Sequence, residues 1–268
     1  MSAAGGPLDD PLAEALRIIA LAESRGLLVR LMGGLAFHAQ APSWVARIDR
    51  DGRDIDLATR SRDRKGLTEL MLAEGYTADK QYNALYGHKQ LYFVDAPHGR
   101  PVDVLIDKLD MCHRFTFGDR LEVTTPTLPL AELLLSKLQV VKINRKDVLD
   151  ALILLSEHPL GDDDGSGSAA EGGAAINVRR IVALTSTDWG WWRTFTDNLE
   201  KLRQFLDDEL TDNELDTGRP PRFDARTQIA ALRAAIDAAP KSTKWRLRAR
   251  IGDRMTWYEL PEEVGHGR

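Results

Sequence analysis

The most informative part of the sequence is Gly33-Gly34 followed by Asp54-Ile55-Asp56-Leu57. Side chains alternate between the two faces of a β-strand, so Asp54 and Asp56 are predicted to project the same way while the residues between them point into the core. Two neighbouring carboxylates repel each other unless a cation lies between them. Mg²⁺ is a suitable cation, because it takes one or two protein carboxylates and fills its other positions with water and substrate phosphates.

The two glycines follow the apolar run 27–32, in which residues 28–32 are predicted to form the first strand. Glycine lets backbone N–H groups approach a phosphate closely. Taken alone, Gly-Gly is most often a plain turn, and Asp-x-Asp is most often a solvated surface pair. The order of strand, Gly-Gly, helix, strand with Asp-x-Asp and then a third acidic strand instead favours a metal-dependent nucleotidyl-transfer site.

A third carboxylate is expected from another strand, because two-ion phosphoryl transfer needs a carboxylate near the attacking hydroxyl. Asp103 meets this expectation, since it stands between two valines in the predicted strand 102–106. A simple charge at a strand edge is the alternative interpretation. Asp107, at the end of the same strand, is a weaker candidate.

Two further candidates lie on predicted helices. Lys137 falls on the apolar stripe of a helix at 130–142, where its ammonium group needs either a partner such as a triphosphate or access to water along its stem. Asp147 opens the next helix, 145–157, on one face with Asp150. Favourable interaction with the helix dipole would explain Asp147 without catalysis.

Composition describes an ordinary chain with enough apolar residues for a core, 43% hydrophobic and 29% charged, with a net charge of −5. The single cysteine, Cys112, excludes an intramolecular disulfide and is typical of a reducing cytoplasm. The first residues lack the features of a secretory signal, and the sequence contains no run of eighteen apolar residues. We therefore predict a cytoplasmic protein without a membrane partner.

Three regions are predicted along the chain: a domain at 1–158, a flexible acidic linker or loop at 159–175, and a helical domain at 176–268. Within the first domain the periodicity and the turn residues also predict these elements: helices at 10–25, 35–40 and 63–74, and strands at 54–59, 88–94, 102–106 and 121–125. In the last domain, helices are predicted at 177–184, 187–210 and 225–238. A basic segment, 241–254, alternates arginine with apolar residues, which favours an extended strand that could contact RNA or simply be solvated.

Four ordered motifs carry a family resemblance: Gly33-Gly34, Asp54-Ile-Asp-Leu57, Leu133-Leu-Leu-Ser-Lys-Leu-Gln139 and Arg145-Lys-Asp-Val-Leu-Asp150. They resemble the motifs of the polymerase-beta-like nucleotidyltransferase superfamily, and most of all its AbiEii/AbiGii toxin-type branch. The resemblance spans residues 10–157. It implies an α/β fold, with a mixed sheet flanked by helices, followed here by a helical C-terminal region.

The resemblance also implies roles for individual residues. Asp54, Asp56 and Asp103 would bind Mg²⁺ and be catalytic, together with Lys137 and Asp147. Nucleotide-binding residues would be Gly33, Gly34, Lys137 and Lys146. The implied activity is transfer of a nucleoside monophosphate from a nucleoside triphosphate to a hydroxyl of tRNA, protein or a small molecule, in a toxin–antitoxin or phage-defence setting with a cognate antitoxin. A catalytically silent, antitoxin-like binding protein with the same fold is the alternative.

Overall fold

The computed structural model describes residues 6–44, 54–165, 174–209 and 220–260. The chain divides into two compact units: the first comprises Met1–Lys108 and Thr116–Leu133, and the second Leu109–Phe115 and Leu134–Arg268. Most residues of the two helices at 130–157 thus belong to the second unit, although the sequence predicts them in the first domain. Domain boundaries at residues 158 and 175 stay predictions.

The first unit contains a five-stranded sheet and its helices. Its elements are α1 (Pro11–Ser24), β1 (Val29–Met32), α2 (Gly33–Gln40), β2 (Ile55–Thr59), α3 (Arg64–Ala73), β3 (Tyr76–Ala78), α4 (Lys80–Tyr86), β4 (Gln90–Asp95) and β5 (Arg100–Ile106). Short 3-10 turns lie at Pro42–Trp44 and Ser61–Asp63. These bounds agree with most of the predicted elements to within one or two residues.

The strands are arranged in the order β1-β2-β5-β4-β3, with β2 and β5 parallel and the other pairs antiparallel. Alternation along the strands separates two faces. One face is fully buried and includes Ile55, Leu57, Phe93, Val102 and Val104. The intervening residues of β4 and β5 are half-exposed. The predicted α/β class, a mixed sheet with helices packed on it, is confirmed.

The second unit is mostly helical, as predicted for the C-terminal region. Its elements are β6 (Lys108–Asp110), β7 (Arg114–Thr116), α5 (Leu130–Leu138), α6 (Arg145–Glu157), β8 (Leu160–Gly161), β9 (Ile176–Asn177), α7 (Val178–Thr187), α8 (Trp189–Gln204), α9 (Ala225–Ala238) and α10 (Thr243–Ile251), with the first residues of β6 and α5 and the last of β7 belonging to the first unit. The division between the units falls within α5. Helix α8 buries Phe195, Leu199 and Leu202 along one face, and it continues as a π-helix over Phe205–Glu209.

Two predicted strands are wrong. Residues 121–125 form turns, because the main-chain pairing starts later: Leu31 donates to the Pro126 carbonyl at 2.8 Å, and Leu128 donates to the Leu31 carbonyl at 2.9 Å. The basic segment forms helix α10, whose start is capped by the Ser242 hydroxyl accepting from the Trp245 N–H at 3.1 Å. The alternation of arginine with apolar residues is compatible with a strand and with a helix. Arginine, leucine and alanine are good helix formers, and the Ser242 cap favours the helix.

The ends of the predicted linker are ordered. Strands β8 and β9 pair in parallel, with Leu160 opposite Ile176, while residues 166–173 lie outside the described part of the chain. Among the helices in the described ranges, none is long and apolar enough to cross a membrane.

A buried ion pair closes the β4–β5 hairpin. Asp95 and Arg100 are register partners, exposed by 0% and 2%, and Arg100 Nη2 lies 2.5 Å from Asp95 Oδ2. The same guanidinium donates to the carbonyls of Leu8 and Asp9, which connects the segment before α1 to the sheet. Burial alone would raise the pKa of Asp95, but hydrogen bonds from His98 and Arg100 hold it below its usual value.

Replacing Asp95 with asparagine is expected to lower the free energy of unfolding by about 3–5 kcal/mol, because Arg100 would lose its buried countercharge. Since the pKa of Asp95 is lowered on folding, its contribution is present above the pKa of the unfolded state and is lost as pH falls through the folded-state pKa. Chemical denaturation from pH 7 to pH 3 should therefore show a weaker acid dependence in D95N. The exposed-pair control Glu69→Gln should change stability by less than about 0.5 kcal/mol; an equal effect of both variants would contradict the assignment.

Candidate functional site

Two of the predicted carboxylates lie side by side on the half-exposed face of the sheet. Asp56 on β2 and Asp103 on β5 are register partners in the parallel pair, and both are partly exposed. Residues directly opposite each other on adjacent strands project to the same face. Asp54, the remaining carboxylate of the predicted metal site, immediately precedes β2 and is exposed. The structure thus brings Asp56 and Asp103 together, with Asp54 at the entrance of the strand.

Gly33 lies directly against the Asp56 carboxylate. Met32 is the register partner of Asp56 on the other side of β2, and Gly33 follows with a left-handed φ of 63°. A Cβ atom at Gly33 would lie 1.8 Å from Asp56 Oδ2 and 2.7 Å from its Cβ. Both the backbone conformation and the contact therefore require glycine here.

The glycine pair is also part of a helix, which corrects the predicted start at residue 35. Helix α2 begins at Gly33 itself, and its N-cap residue, Met32, makes no side-chain capping bond. The first N–H groups of a helix have no partners within the helix, so this end can serve an anion. A phosphate contact through the backbone at Gly33 and Gly34 stays a prediction.

Asp103 is held in place by Gln90, a residue that the sequence does not single out. Gln90 Nε2 donates to Asp103 Oδ1 from the neighbouring strand β4. Gln90 and Tyr92 alternate with the buried Leu91 and Phe93, so both polar groups lie on the half-exposed face. That alternation is the only sequence signal that could have indicated them.

Tyrosines border the carboxylates on the side of β4. Tyr92 is the register partner of Asp103, and the ring of Tyr82 on α4 lies 6.0 Å from the ring of Tyr92. Burial raises the pKa of Tyr92, and the negative charges of Asp103 and Asp54 add to this rise. Burial and the charge of Asp103 likewise raise the pKa of Tyr82. The charge of Asp103 thus acts on both rings, and that of Asp54 acts on Tyr92.

Asp107 has a structural role at the end of β5. Its φ is 62°, its Oδ1 accepts the Ser61 N–H at 3.0 Å, and its other carboxylate oxygen accepts the Ser61 hydroxyl. The Asp107 carbonyl also accepts from Phe117 and Gly118. These bonds explain the carboxylate without a metal, in agreement with its lower rank as a candidate.

The carboxylates suit the coordination habits of Mg²⁺. Within the described ranges, no group of three or more His, Cys, Asp or Glu side chains is gathered as a ready-made metal cluster. Mg²⁺ rarely needs one, because one or two carboxylates commonly hold it while water and substrate phosphates complete the octahedron. Asp56 and Asp103 supply hard oxygen ligands on adjacent strands, and Asp54 is a third candidate. The donor set fits the ion.

In the second unit, the structure gives Lys137 two acidic partners. Its Nζ lies 2.6 Å from Asp147 Oδ1 and 3.1 Å from Asp150 Oδ2, and the Asp150 side chain is only 1% exposed. A lysine on an apolar stripe is thereby explained by a salt-bridge cluster. The cap of α6 is Asn144, which accepts from the Asp147 N–H, so Asp147 itself is not the capping residue.

Lys146 is exposed at the start of α6. Nucleotide-binding roles for Lys137 and Lys146, and a catalytic role for Asp147, stay predictions. A basic loop with Arg47, Arg50 and Arg53, which could bind phosphate or polynucleotide, lies outside the described residues.

No protein-family profile matches the chain, and no curated protein does either. Among solved structures, the chain is similar to the antibiotic-resistance factor ANT(2'')-Ia, with 15% identity over 54% of this chain and 81% of that one at a TM-score of 0.35. It is also similar to an antigenic nucleotidyltransferase-like protein from Paracoccidioides brasiliensis, with 13% identity, 89% and 98% coverage and a TM-score of 0.40. A third is the STING-associated CdnE c-di-GMP synthase from Capnocytophaga granulosa, with 14% identity, 87% and 81% coverage and a TM-score of 0.26. These are distant likenesses.

Gly33→Ala is expected to displace the Asp56 carboxylate and to destabilise the protein by more than the cost of a left-handed alanine, about 1–2 kcal/mol. Gly26→Ala is a matched control, because Gly26 has a similar φ of 70° and its added Cβ would meet nothing within 4 Å. Denaturation and Mg²⁺–nucleotide binding should be measured for both. Equal stability losses with unchanged nucleotide binding would show that Gly33 does not position Asp56.

Lys137→Met is expected to lower the free energy of unfolding by about 3 kcal/mol, because the cation beside the buried Asp150 is removed. The double variant K137M/D150N should recover part of that loss. If Lys137 also contacts a triphosphate, nucleotide affinity should fall by roughly tenfold to a hundredfold, as for one lost charge-assisted contact of about 1.5–3 kcal/mol. A stability change with unaltered affinity would make the lysine purely structural.

Proposed function

We propose that this chain is a Mg²⁺-dependent nucleotidyltransferase that transfers a nucleoside monophosphate from a nucleoside triphosphate to a hydroxyl acceptor. The observation that carries the proposal is the pairing of Asp56 with Asp103, with Gly33 packed against the Asp56 carboxylate. A cation bound between two carboxylates on adjacent strands would lower their mutual repulsion, and the start of α2 beside Gly33 offers backbone N–H groups that can bind a phosphate.

In this reaction the acceptor oxygen forms a bond to the α-phosphorus. The bond from that phosphorus to the oxygen bridging it to the β-phosphorus breaks, pyrophosphate leaves with the electron pair, and the hydroxyl proton passes to water. Bound Mg²⁺ supplies charge neutralisation and lowers the pKa of the attacking hydroxyl. Asp54 and Asp56 would hold the Mg²⁺ ions, and Asp103 would be a further ligand on the acceptor side. The hydrogen bond from Gln90 would fix the rotamer of Asp103.

The backbone at the start of α2 would receive the triphosphate. Because Met32 provides no side-chain cap, the N–H groups of the first turn offer donors for phosphate oxygens. Lys137 and Lys146 are proposed as further nucleotide contacts, and Asp147 as a further catalytic residue, on the strength of the motif resemblance alone. Membership of the toxin-type branch and a cognate antitoxin have the same basis, whereas a cytoplasmic location is proposed from the single cysteine and the sequence pattern.

A catalytically silent, antitoxin-like binding protein with this fold is the second candidate. The salt-bridge cluster of Lys137 favours it, since a lysine that is already paired with two carboxylates is a poor phosphate ligand. The pairing of Asp56 with Asp103, and a glycine that the position of the Asp56 carboxylate requires, favour the enzyme instead. Pyrophosphate release separates the two candidates.

Asp56→Asn and Asp103→Asn are each expected to reduce pyrophosphate release by at least about 100-fold, because each removes several kcal/mol of metal-mediated stabilisation. In the absence of metal these variants should melt at the wild-type temperature or above it, since repulsion between the carboxylates is relieved. Release should be assayed with each of the four triphosphates, with Mg²⁺ and with a chelator.

The exposed carboxylate Asp237 on α9 provides the control, and D237N should retain wild-type release. Wild-type release by the double variant D54N/D56N would refute the metal assignment. An inactive wild type, tested with RNA, protein and small-molecule hydroxyl acceptors, would favour the silent binding protein.

A further inference from the structure

The strand order of the first unit places the residues of the proposed site in a row across the sheet. Gly33 follows β1, Asp56 lies on β2, Asp103 on β5 and Tyr92 on β4, and these strands are successive neighbours in the sheet. If the triphosphate binds at Gly33, the acceptor has to approach from the opposite side of the carboxylates. The side chains found there are aromatic.

Three tyrosines form a continuous cluster at this end of the row. The rings of Tyr82 and Tyr92 lie 6.0 Å apart, and those of Tyr82 and Tyr86 lie 5.0 Å apart. Tyr82 and Tyr92 are half-buried, while Tyr86 is 39% exposed. A ligand can therefore reach ring surface beside Asp103.

Helix α4, which carries two of these tyrosines, makes no contribution to the core. None of its residues is buried, and Leu85 is 61% exposed. Helices of globular proteins usually owe their stability to a buried apolar face. The exposed tyrosine and leucine of this short helix therefore leave ring and apolar surface that a ligand can contact.

Hydrogen bonds nevertheless fix α4 on the sheet. Asn83 Nδ2 donates to the Tyr92 carbonyl at 3.1 Å, and Asn83 Oδ1 accepts the Tyr92 N–H at 2.7 Å. Asp79 caps the helix through the Tyr82 N–H at 2.9 Å, and Arg64 holds the Gly87 carbonyl. The tyrosines are thus positioned before any ligand arrives, which lowers the entropic cost of binding.

Exposed basic residues lie at both ends of the helix that carries Tyr82 and Tyr86. Lys80 begins α4, and His88 and Lys89 follow it, all three exposed. On the sheet side, Tyr92 is the register partner of Asp103, and Asp79 caps the start of α4. Aromatic rings flanked by basic side chains are typical of surfaces that stack nucleobases and track phosphates.

We propose that Tyr82, Tyr86 and Tyr92 form the acceptor subsite of this chain and that they stack on a nucleobase next to the attacking hydroxyl. The acceptor is then a molecule with a nucleoside end, rather than a polyamino sugar or a protein side chain. The assignment rests on the proposed function for the position of the acceptor, although the stacking surface itself can be tested without catalysis.

The test is binding of a fluorescently labelled six-nucleotide single-stranded oligonucleotide to the full chain, measured by anisotropy. Y82L/Y86L keeps apolar side chains but removes the rings, and we expect its dissociation constant to rise by roughly tenfold or more. Y82F/Y86F keeps the rings and should bind as the wild type does. Tyr258→Leu, a tyrosine of the second unit, is the matched control and should have no effect.

Triphosphate affinity should stay unchanged in Y82L/Y86L, which distinguishes an acceptor subsite from a nucleotide site. Circular dichroism checks the fold, and Tyr86→Leu alone, at an exposed position, provides a milder variant with a smaller expected loss. Unchanged oligonucleotide affinity in Y82L/Y86L, an equal loss in Y82F/Y86F, or no oligonucleotide binding by the wild type would overturn the proposal. Oligonucleotide binding without pyrophosphate release would refute the enzyme but leave the stacking surface in place.

Discussion

The contact between the Gly33 backbone and the Asp56 carboxylate is the constraint on which the site depends. It fixes a left-handed residue at the end of β1, starts α2 beside β2, and holds one carboxylate at the point where the helix N-terminus opens. Any side chain at residue 33 would occupy the volume of Asp56 Oδ2. The glycine is therefore required by the geometry of the carboxylate as much as by its own backbone.

The hairpin β4–β5 gives the same face its rigidity. Pairing of Asp95 with Arg100 closes the hairpin in the core, while Gln90 and Tyr92 of the same strand face Asp103 on the other side. The buried Asp95–Arg100 pair and the half-exposed candidate site thus lie on opposite faces of the same two strands. A shift of register by one residue would bury Asp103 and expose Phe93, so the apolar face that stabilises the sheet also specifies which side the carboxylates occupy.

Much of the first unit could be predicted because its strands follow a strict alternation and its helices carry clear start and stop signals. The strands at Asp56 and Asp103 were identifiable in this way, but their mutual register was not, since it depends on a parallel crossover between distant segments. Gln90 and the tyrosine cluster carry no motif, so only the three-dimensional pairing shows their relation to Asp103. The error at 241–254 has a local cause, because a short run alternating arginine with apolar residues fits a strand and a helix alike until the Ser242 cap is recognised.

The candidate residues of the two units differ in the charges that the structure places around them. Lys137 has two carboxylates within 3.1 Å, so a triphosphate would have to displace partners that are already in place. Asp56 and Asp103 lie on adjacent strands on a half-exposed face, where a bound cation would reduce the repulsion between their charges. Charge compensation for a bound triphosphate is therefore expected to come chiefly from metal held by the sheet carboxylates. Lysine on α5 would contribute only after its salt bridges rearrange.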